Sequence, residues 1–392
     1  MGATNTATPL DSRAVRAAFP VLREAVYLNT GTYGPMAAPA LDALLEATRA
    51  LEEGGVACRM DLAGARERAR ARLAALLHAE PEEIAITGNA TDGTNLALAG
   101  LAWRRGDEVI TTDEEHAAQL HPLLYLRRRR GVRLRQVSVS PDPAAMARRL
   151  DEAAGPRTRM VVASHVSCET GTRLPAAAMA AWASGRGVLS LLDGAQAVGV
   201  LDVDMRGIGC DFYTGNGHKW LCGPQGTGFF YARRDRMAAL SPAHVGAGSL
   251  RLADFERGIA EPWPTGARFE FGTRSYALPV GLLGALDWLE GLGWHRARAH
   301  VAALTDDAKR RIVDRPWLRL HTPVGFAESS GLVSFSVEGG DAGALVAALQ
   351  RDHAIYTRHV PHHNALRISA AHFNAAEDLD RLFAELDGMA AR

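Results

Sequence analysis

The sequence predicts an α/β fold: a large domain around a mainly parallel sheet of seven strands, followed by a smaller C-terminal α/β domain. Three observations carry the prediction. Between residues 80 and 235, short apolar runs alternate with amphipathic stretches, as strands joined by helical crossovers do. The strands end in polar or titratable residues, at the edge where open α/β sheets gather ligands. From about residue 276 the pattern changes to long amphipathic helices with short strands between them.

In chain order, residues 1–25 form an N-terminal segment expected to pack on the small domain, 26–275 the large domain and 276–392 the small domain. The predicted strands of the large domain are "EEIAIT" (82–87), "DEVITT" (107–112), "VRLRQVSVS" (132–140), "RMVVASHVS" (159–167), "VLSLLDGA" (188–195), "CDFYTGN" (210–216) and "GTGFFYAR" (226–233). Helical segments lie between them at 93–103, 144–154 and 176–185. Arg127 to Arg130 follow the apolar "PLLYL" and precede Gly131, a helix C-terminus whose dipole favours cations. The last two strands lie too close for a helical crossover, so one of them runs antiparallel. Further on, "SYALPVGLLGALDWLEGLG" (275–293) reads as a long helix, 331–337 and 366–369 as short strands, and the chain after Asn374 as a closing amphipathic helix.

Composition narrows the function. The 392 residues carry no formal net charge, so there is no basic footprint for nucleic acid or an anionic membrane surface. No apolar stretch approaches the length of a membrane span. Cys58, Cys168, Cys210 and Cys222 have no paired spacing, and the opening "MGATNTATPLDSR" lacks an apolar core. A reducing cytoplasm is therefore the expected setting.

The candidate chemistry sits at the strand ends. After the first strand, "TGNATDGTN" (87–95) opens a helix with glycines, hydroxyls and amides, either as an ordinary N-cap or as a phosphate cradle. Its glycines make neither the dinucleotide nor the P-loop fingerprint, which argues against a NAD-type oxidoreductase. His116 follows the second strand, in a structural or a ligand-facing role. Ser164, His165, Ser167, Cys168 and Glu169 crowd the end of the fourth. Asp193 ends a fully apolar strand, where a carboxylate is costly unless it meets a cation or donors.

Lys219 is one of only two lysines among 44 Lys and Arg residues; the other is Lys309. Arginine serves surface charge and anion pairing as well or better. Lysine alone offers an amine that can lose its proton and attack a carbonyl. A phosphate site, a buried acid, a flat-ring neighbour and such a lysine are the requirements of pyridoxal phosphate.

On these residues the chain resembles fold-type I pyridoxal-phosphate enzymes of the aminotransferase class V family, which includes cysteine desulfurases, selenocysteine lyases and isopenicillin N epimerases. The resemblance runs from "YLNTGTYGP" (27–35) to "LRISAAHFNAAEDLDRL" (366–382) and is most specific at "DGAQ" and "GHKWLCGPQGTG". It implies Lys219 as the Schiff-base lysine, Asp193 on the pyridine nitrogen, Gln196 near the phenolic oxygen and His116 stacked on the ring. Ala90 and Thr91, with Asn216 and His218, match the phosphate site. "FEFGTRSY" (269–276) resembles a segment that reaches across a homodimer, placing Thr273 on the neighbour's phosphate. Arg367 matches the arginine that clamps the carboxylate of an amino-acid substrate, and Asn29 and Thr30 are expected to line the substrate pocket.

The departures are informative. Cysteine desulfurases of the family carry a nucleophilic cysteine shortly before the carboxylate-binding arginine, whereas here that region reads "RHVPHHNALRIS" (358–369). Cys168 is either an inert strand-end thiol or a participant in proton or sulfur transfer, and its thiolate fraction decides which. His359, His362 and His363 have no acidic or cysteine ligands beside them in sequence, so no metal is predicted. The expected reaction begins with removal of the substrate Cα proton by Lys219. A C–S lyase-type β-elimination is preferred, with epimerisation or transamination as alternatives; an inactive homologue would show an incomplete residue set. Side-chain selectivity is expected from residues 29–34, 245–265 and 356–364.

Overall fold

Seven strands form the central sheet: β1 (Ile84–Thr87), β2 (Glu108–Thr112), β3 (Arg133–Val137), β4 (Thr158–Ser164), β5 (Leu189–Asp193), β6 (Phe212–Asn216) and β7 (Gly228–Ala232). The computed structural model describes residues 10–390, leaving aside the side chains of Met60 and Asp61. The expected packing of residues 1–9 lies outside the described residues. The strand order is β1-β7-β6-β5-β4-β2-β3. Only β7 runs against its neighbours; the other pairs are parallel.

Because β1 and β6 are each antiparallel to β7, they point the same way as each other and as the rest of the sheet. The carboxyl ends of β1, β2, β4, β5 and β6 therefore share one edge, which carries the predicted site residues. Every residue of β1, β2, β6 and β7 is buried, as expected of strands covered on both faces. The edge strand β3 is instead charged and largely exposed, which discourages pairing with a further strand.

Most differences from the sequence reading are at element ends. The fifth strand stops at Asp193, because Gly194 N–H bonds to Thr214 O and the chain turns there. The helix read from residue 93 begins at Ala90: α1 (Ala90–Gly100) is capped by Asn89, whose side chain accepts from Asp92 N–H. Helix α2 (Ala117–Arg130) ends in the arginine run and closes on Gly131 in the left-handed region, φ 68°. The long helix after 275 is Ala277–Leu292, and Gly293 separates it from Trp294–Val313.

A second sheet contains β8 (Leu318–Leu320), β9 (Leu332–Val337), β10 (Arg358–Val360) and β11 (Ala365–Ser369) in the order β8-β9-β11-β10, all antiparallel. The N-terminal segment lies against this part of the chain. Arg16 pairs with Asp378 at 2.5 and 3.0 Å, Phe19 packs on Trp288 and Phe373, and Val26–Tyr27 pairs with Ile355–Tyr356. Lys309, the second lysine, is also buried and donates to Val324 O at 3.1 Å and Ser329 Oγ at 2.6 Å.

One buried ion pair braces the strand that leads into α1. Arg70 donates to both oxygens of Glu270, at 2.7 and 3.2 Å, and to Ile84 O at 2.6 Å. Glu270 also accepts from Ile86 N–H at 2.6 Å. Glu67, on the exposed side, also pairs with Arg70 at 3.0 Å through each carboxylate oxygen, so loss of Glu270 leaves Arg70 a partner but strands the Ile86 N–H. Glu270→Ala is expected to lower unfolding stability by about 1–3 kcal/mol, measured by urea denaturation; no measurable loss would show that water replaces the carboxylate.

Candidate active site

A cavity of about 450 Å³ opens at the carboxyl edge of the central sheet. Ala90, Thr91, His116, Asp193, Gln196, Asn216, His218, Lys219, Cys168 and Arg367 all line it. Asn29, Thr30 and Thr273 do not. Asn29 is held to Ser369 by a bridge and Thr30 is fully buried, so the next two residues, Gly31 and Thr32, form the wall instead. Thr273 is exposed, outside this chain's own cavity. Residues 250–254 and 259–262 form a two-stranded hairpin, and the 245–265 segment supplies no wall.

The N-terminus of α1 forms one end of the cavity. Its first turn carries N–H groups with no intrahelical partner, and Ala90 N–H donates to Asn216 Oδ1 at 2.8 Å. His218 Nδ1 is buried without a hydrogen-bond partner, and burial, with the nearby Lys219 cation, lowers the pKa of the ring. Gly34 docks on the same loop, its N–H donating to His218 O at 2.8 Å. A Cβ at Gly34 would lie 1.9 Å from the Lys219 carbonyl oxygen, so only glycine permits this approach.

His116 resolves its two candidate roles by holding both. It caps α2, with Nδ1 accepting from Ala118 N–H at 3.0 Å, and it lines the cavity. Burial and the charges of Lys219 and Arg367 pull its pKa to about 4, so the ring is neutral at physiological pH.

Asp193 is buried and its carboxylate accepts from Ala195 N–H at 2.7 Å. Burial pushes its pKa up while Lys219 opposes the shift. The Lys219 amine is buried as well; desolvation lowers its pKa against the pull of Asp193. The sequence reading missed Glu115. It accepts from Thr112 Oγ1 at 2.7 Å and from Ser164 N–H and Oγ at 2.9 and 2.7 Å, and burial raises its pKa to about 7. The acidic pair directly before His116 in "EEH" was the available signal.

Gln196 lines the cavity with both ends of its amide engaged. Nε2 donates to Gly31 O at 2.8 Å, and Oε1 accepts from Trp220 Nε1 at 2.9 Å. His165, from the crowded "SHVSCE" stretch, turns away and bonds Tyr213 through Nδ1 at 2.8 Å.

Arg367, on β11, is only 5% exposed. It donates to the Cys168 carbonyl and to Thr32 Oγ1, the latter at 3.3 Å, and its Nε has no partner. Burial pulls its pKa to about 10, which leaves it cationic at neutral pH. No carboxylate pairs with it among the described residues. A buried cation in that state is costly, and a planar anion such as a carboxylate is the kind of group that would relieve it.

The thiolate question at Cys168 also has an answer. Burial raises its pKa to about 11, outweighing the attraction of Arg367 and Lys219, so at neutral pH it is a thiol. Cys58, Cys210 and Cys222 do not reach the cavity. The expectation that no acid accompanies the histidines is overturned, because folding brings Glu169 to His362 Nδ1 at 2.9 Å and to His363 Nε2 at 3.2 Å.

These groups fit pyridoxal phosphate. A helix N-terminus beside an orphaned His218 nitrogen suits the phosphate, the buried Asp193 carboxylate suits a ring cation, and a desolvated Lys219 suits a carbonyl carbon.

Comparison with known proteins agrees with the geometry. Residues 47–382 match the family model described as aminotransferase class-V. The chain is 33% identical to isopenicillin N epimerase of Streptomyces clavuligerus, over 93% of this chain and 94% of that protein. It is 32% identical to a probable cysteine desulfurase of Mycobacterium leprae, over 97% of each chain. A solved cystine C–S lyase in complex with its reaction product cysteine persulfide superposes with a TM-score of 0.87 at 30% identity, covering 94% of this chain and 98% of that one.

Proposed function

This chain belongs to the aminotransferase class-V family of pyridoxal-phosphate enzymes, and from that premise we propose that it cleaves the C–S bond of a sulfur-bearing α-amino acid by β-elimination. Bound pyridoxal phosphate supplies the electron sink that makes the substrate Cα proton labile. Asp193 would hold the ring nitrogen protonated, His116 would stack on the ring and Gln196 would stand near its phenolic oxygen. Ala90, Thr91, Asn216 and His218 would hold the phosphate, joined by Thr273 from a second copy of the chain in a homodimer. The exposure of Thr273 outside its own cavity supports that last assignment.

Arg367 pairs with the substrate carboxylate, and Gly31 and Thr32 border the bound amino acid. Lys219 Nζ, its proton affinity lowered by burial, takes the Cα proton. The electron pair left on carbon forms the Cα=Cβ bond as the Cβ–S bond breaks, and the sulfur leaves as a thiolate that is then protonated. Water hydrolyses the unsaturated product, so each thiol released is matched by one pyruvate and one ammonia. No helix among the described residues is long and apolar enough to cross a membrane; the free cysteines suit the cytoplasmic setting that belongs to this reading.

The observation that carries the reading is the state of the cavity's thiol. A desulfurase needs a nucleophilic thiolate to take up the sulfur, whereas Cys168 is held protonated by burial. Cys168→Ala is expected to keep pyruvate release from cysteine within about threefold of wild type, since a thiol held protonated is not the nucleophile. Formation of alanine in place of pyruvate, abolished in the variant, would sink the elimination reading. The same protonated thiol favours epimerisation as a second reading, with Cys168 returning a proton to Cα. In that case loss of chirality proceeds without pyruvate and stops in Cys168→Ala.

A further inference from the structure

We propose that Glu169, His362 and His363 bind a divalent transition-metal ion of the zinc class at the mouth of the cavity. Glu169 follows Cys168 in the loop after β4 and lines the cavity. His362 and His363 occupy the short turn between β10 and β11. Residues nearly two hundred positions apart in sequence thus place two imidazoles on one carboxylate.

The spacing suits a tetrahedral ion. Glu169 Oε2 stands 2.9 Å from His362 Nδ1 and 3.2 Å from His363 Nε2, and the three ligand atoms all lie within 4.8 Å of one another. Bonds of about 2.0–2.2 Å in tetrahedral geometry set ligand atoms about 3.3–3.5 Å apart. The Glu169–His363 pair is close to that spacing already, the Glu169–His362 pair is somewhat shorter, and the exposed His362 ring has room to adjust. His363 Nε2 is buried and has no hydrogen-bond partner, although it stands 3.2 Å from Glu169 Oε2.

Donor chemistry selects the ion. Two imidazole nitrogens and one carboxylate oxygen suit zinc and its neighbours, whereas magnesium and calcium take all-oxygen sets. Glu114 lies just outside, with Oε1 3.6 Å from His363 Nε2, and is held by Ser167 and Thr170. With Glu169 it supplies two negative charges against the two positive charges of the ion. Three protein ligands leave one position open to water or to a ligand in the cavity. The ion would also tie the loop after β4 to the turn that precedes Arg367.

The test uses the full-length, untagged holoenzyme and zinc itself, titrated against a chromogenic chelator. The expected result is one zinc per chain, bound at least tenfold more weakly by His362→Ala and by Glu169→Gln, with a zinc-dependent rise in Tm confined to wild type. His362 is exposed, so its alanine variant keeps the fold. Wild type that binds zinc no more tightly than His362→Ala would overturn the proposal. The site stands or falls independently of the elimination reading, because zinc binding is read without substrate.

Discussion

Lys219→Ala is expected to lose both the visible colour of the bound cofactor and at least about 10³-fold in turnover, within the range that positioned acid–base groups supply. The amine is buried, and desolvation lowers its proton affinity, so it can act as a base at neutral pH. Asp193, whose own pKa burial raises, is the carboxyl close enough to pull on it. Lys219→Arg sharpens the test: it keeps the cation but cannot shed a proton. Absorbance of the purified variants and pyruvate release are the measurements. A coloured, active Lys219→Arg would place this residue with Lys309, as a buried amine that only satisfies its surroundings.

Arg367→Ala is expected to cost about 10- to 10²-fold in kcat/KM, carried mainly by KM, while the colour stays. Hydrogen bonds to a charged group contribute about 1.5–3 kcal/mol, and each 1.36 kcal/mol is tenfold in rate. Among the described residues the guanidinium has no carboxylate partner, and its Nε is unpartnered, so the free protein gains little from it. Arg367→Lys should recover only part of the loss, because a point charge does not reproduce a planar fork. Steady-state kinetics with absorbance of the same samples decides the matter. Loss of colour in Arg367→Ala would mean that its bonds to Thr32 and the Cys168 carbonyl hold the cavity wall together.

Residues that announce themselves by type or by strand position were legible before folding. Lys219 stood out by the rarity of lysine, Asp193 by ending an apolar strand and His116 by following one. All three line the cavity. Asn29 and Thr30 were placed two positions early, because a bridge to Ser369 sets which residues of that segment turn inward. That register is a long-range contact with no local signal. Glu115 escaped notice because a glutamate beside a histidine reads as an exposed polar pair until Ser164, from another strand, closes over it.

The same division holds for the molecule as a whole. Periodicity and strand-end chemistry are local properties, so the sequence alone determined the α/β alternation, that one of the last two strands runs antiparallel, and the lysine and aspartate that line the cavity. Burial and encounters between distant segments are not local. The tertiary structure alone decided that burial keeps Cys168 a thiol, that Arg367 meets no carboxylate among the described residues, and that Glu169 meets His362 and His363. Each of these depends on how much water the surrounding chain excludes and on which charges it brings within a few ångströms.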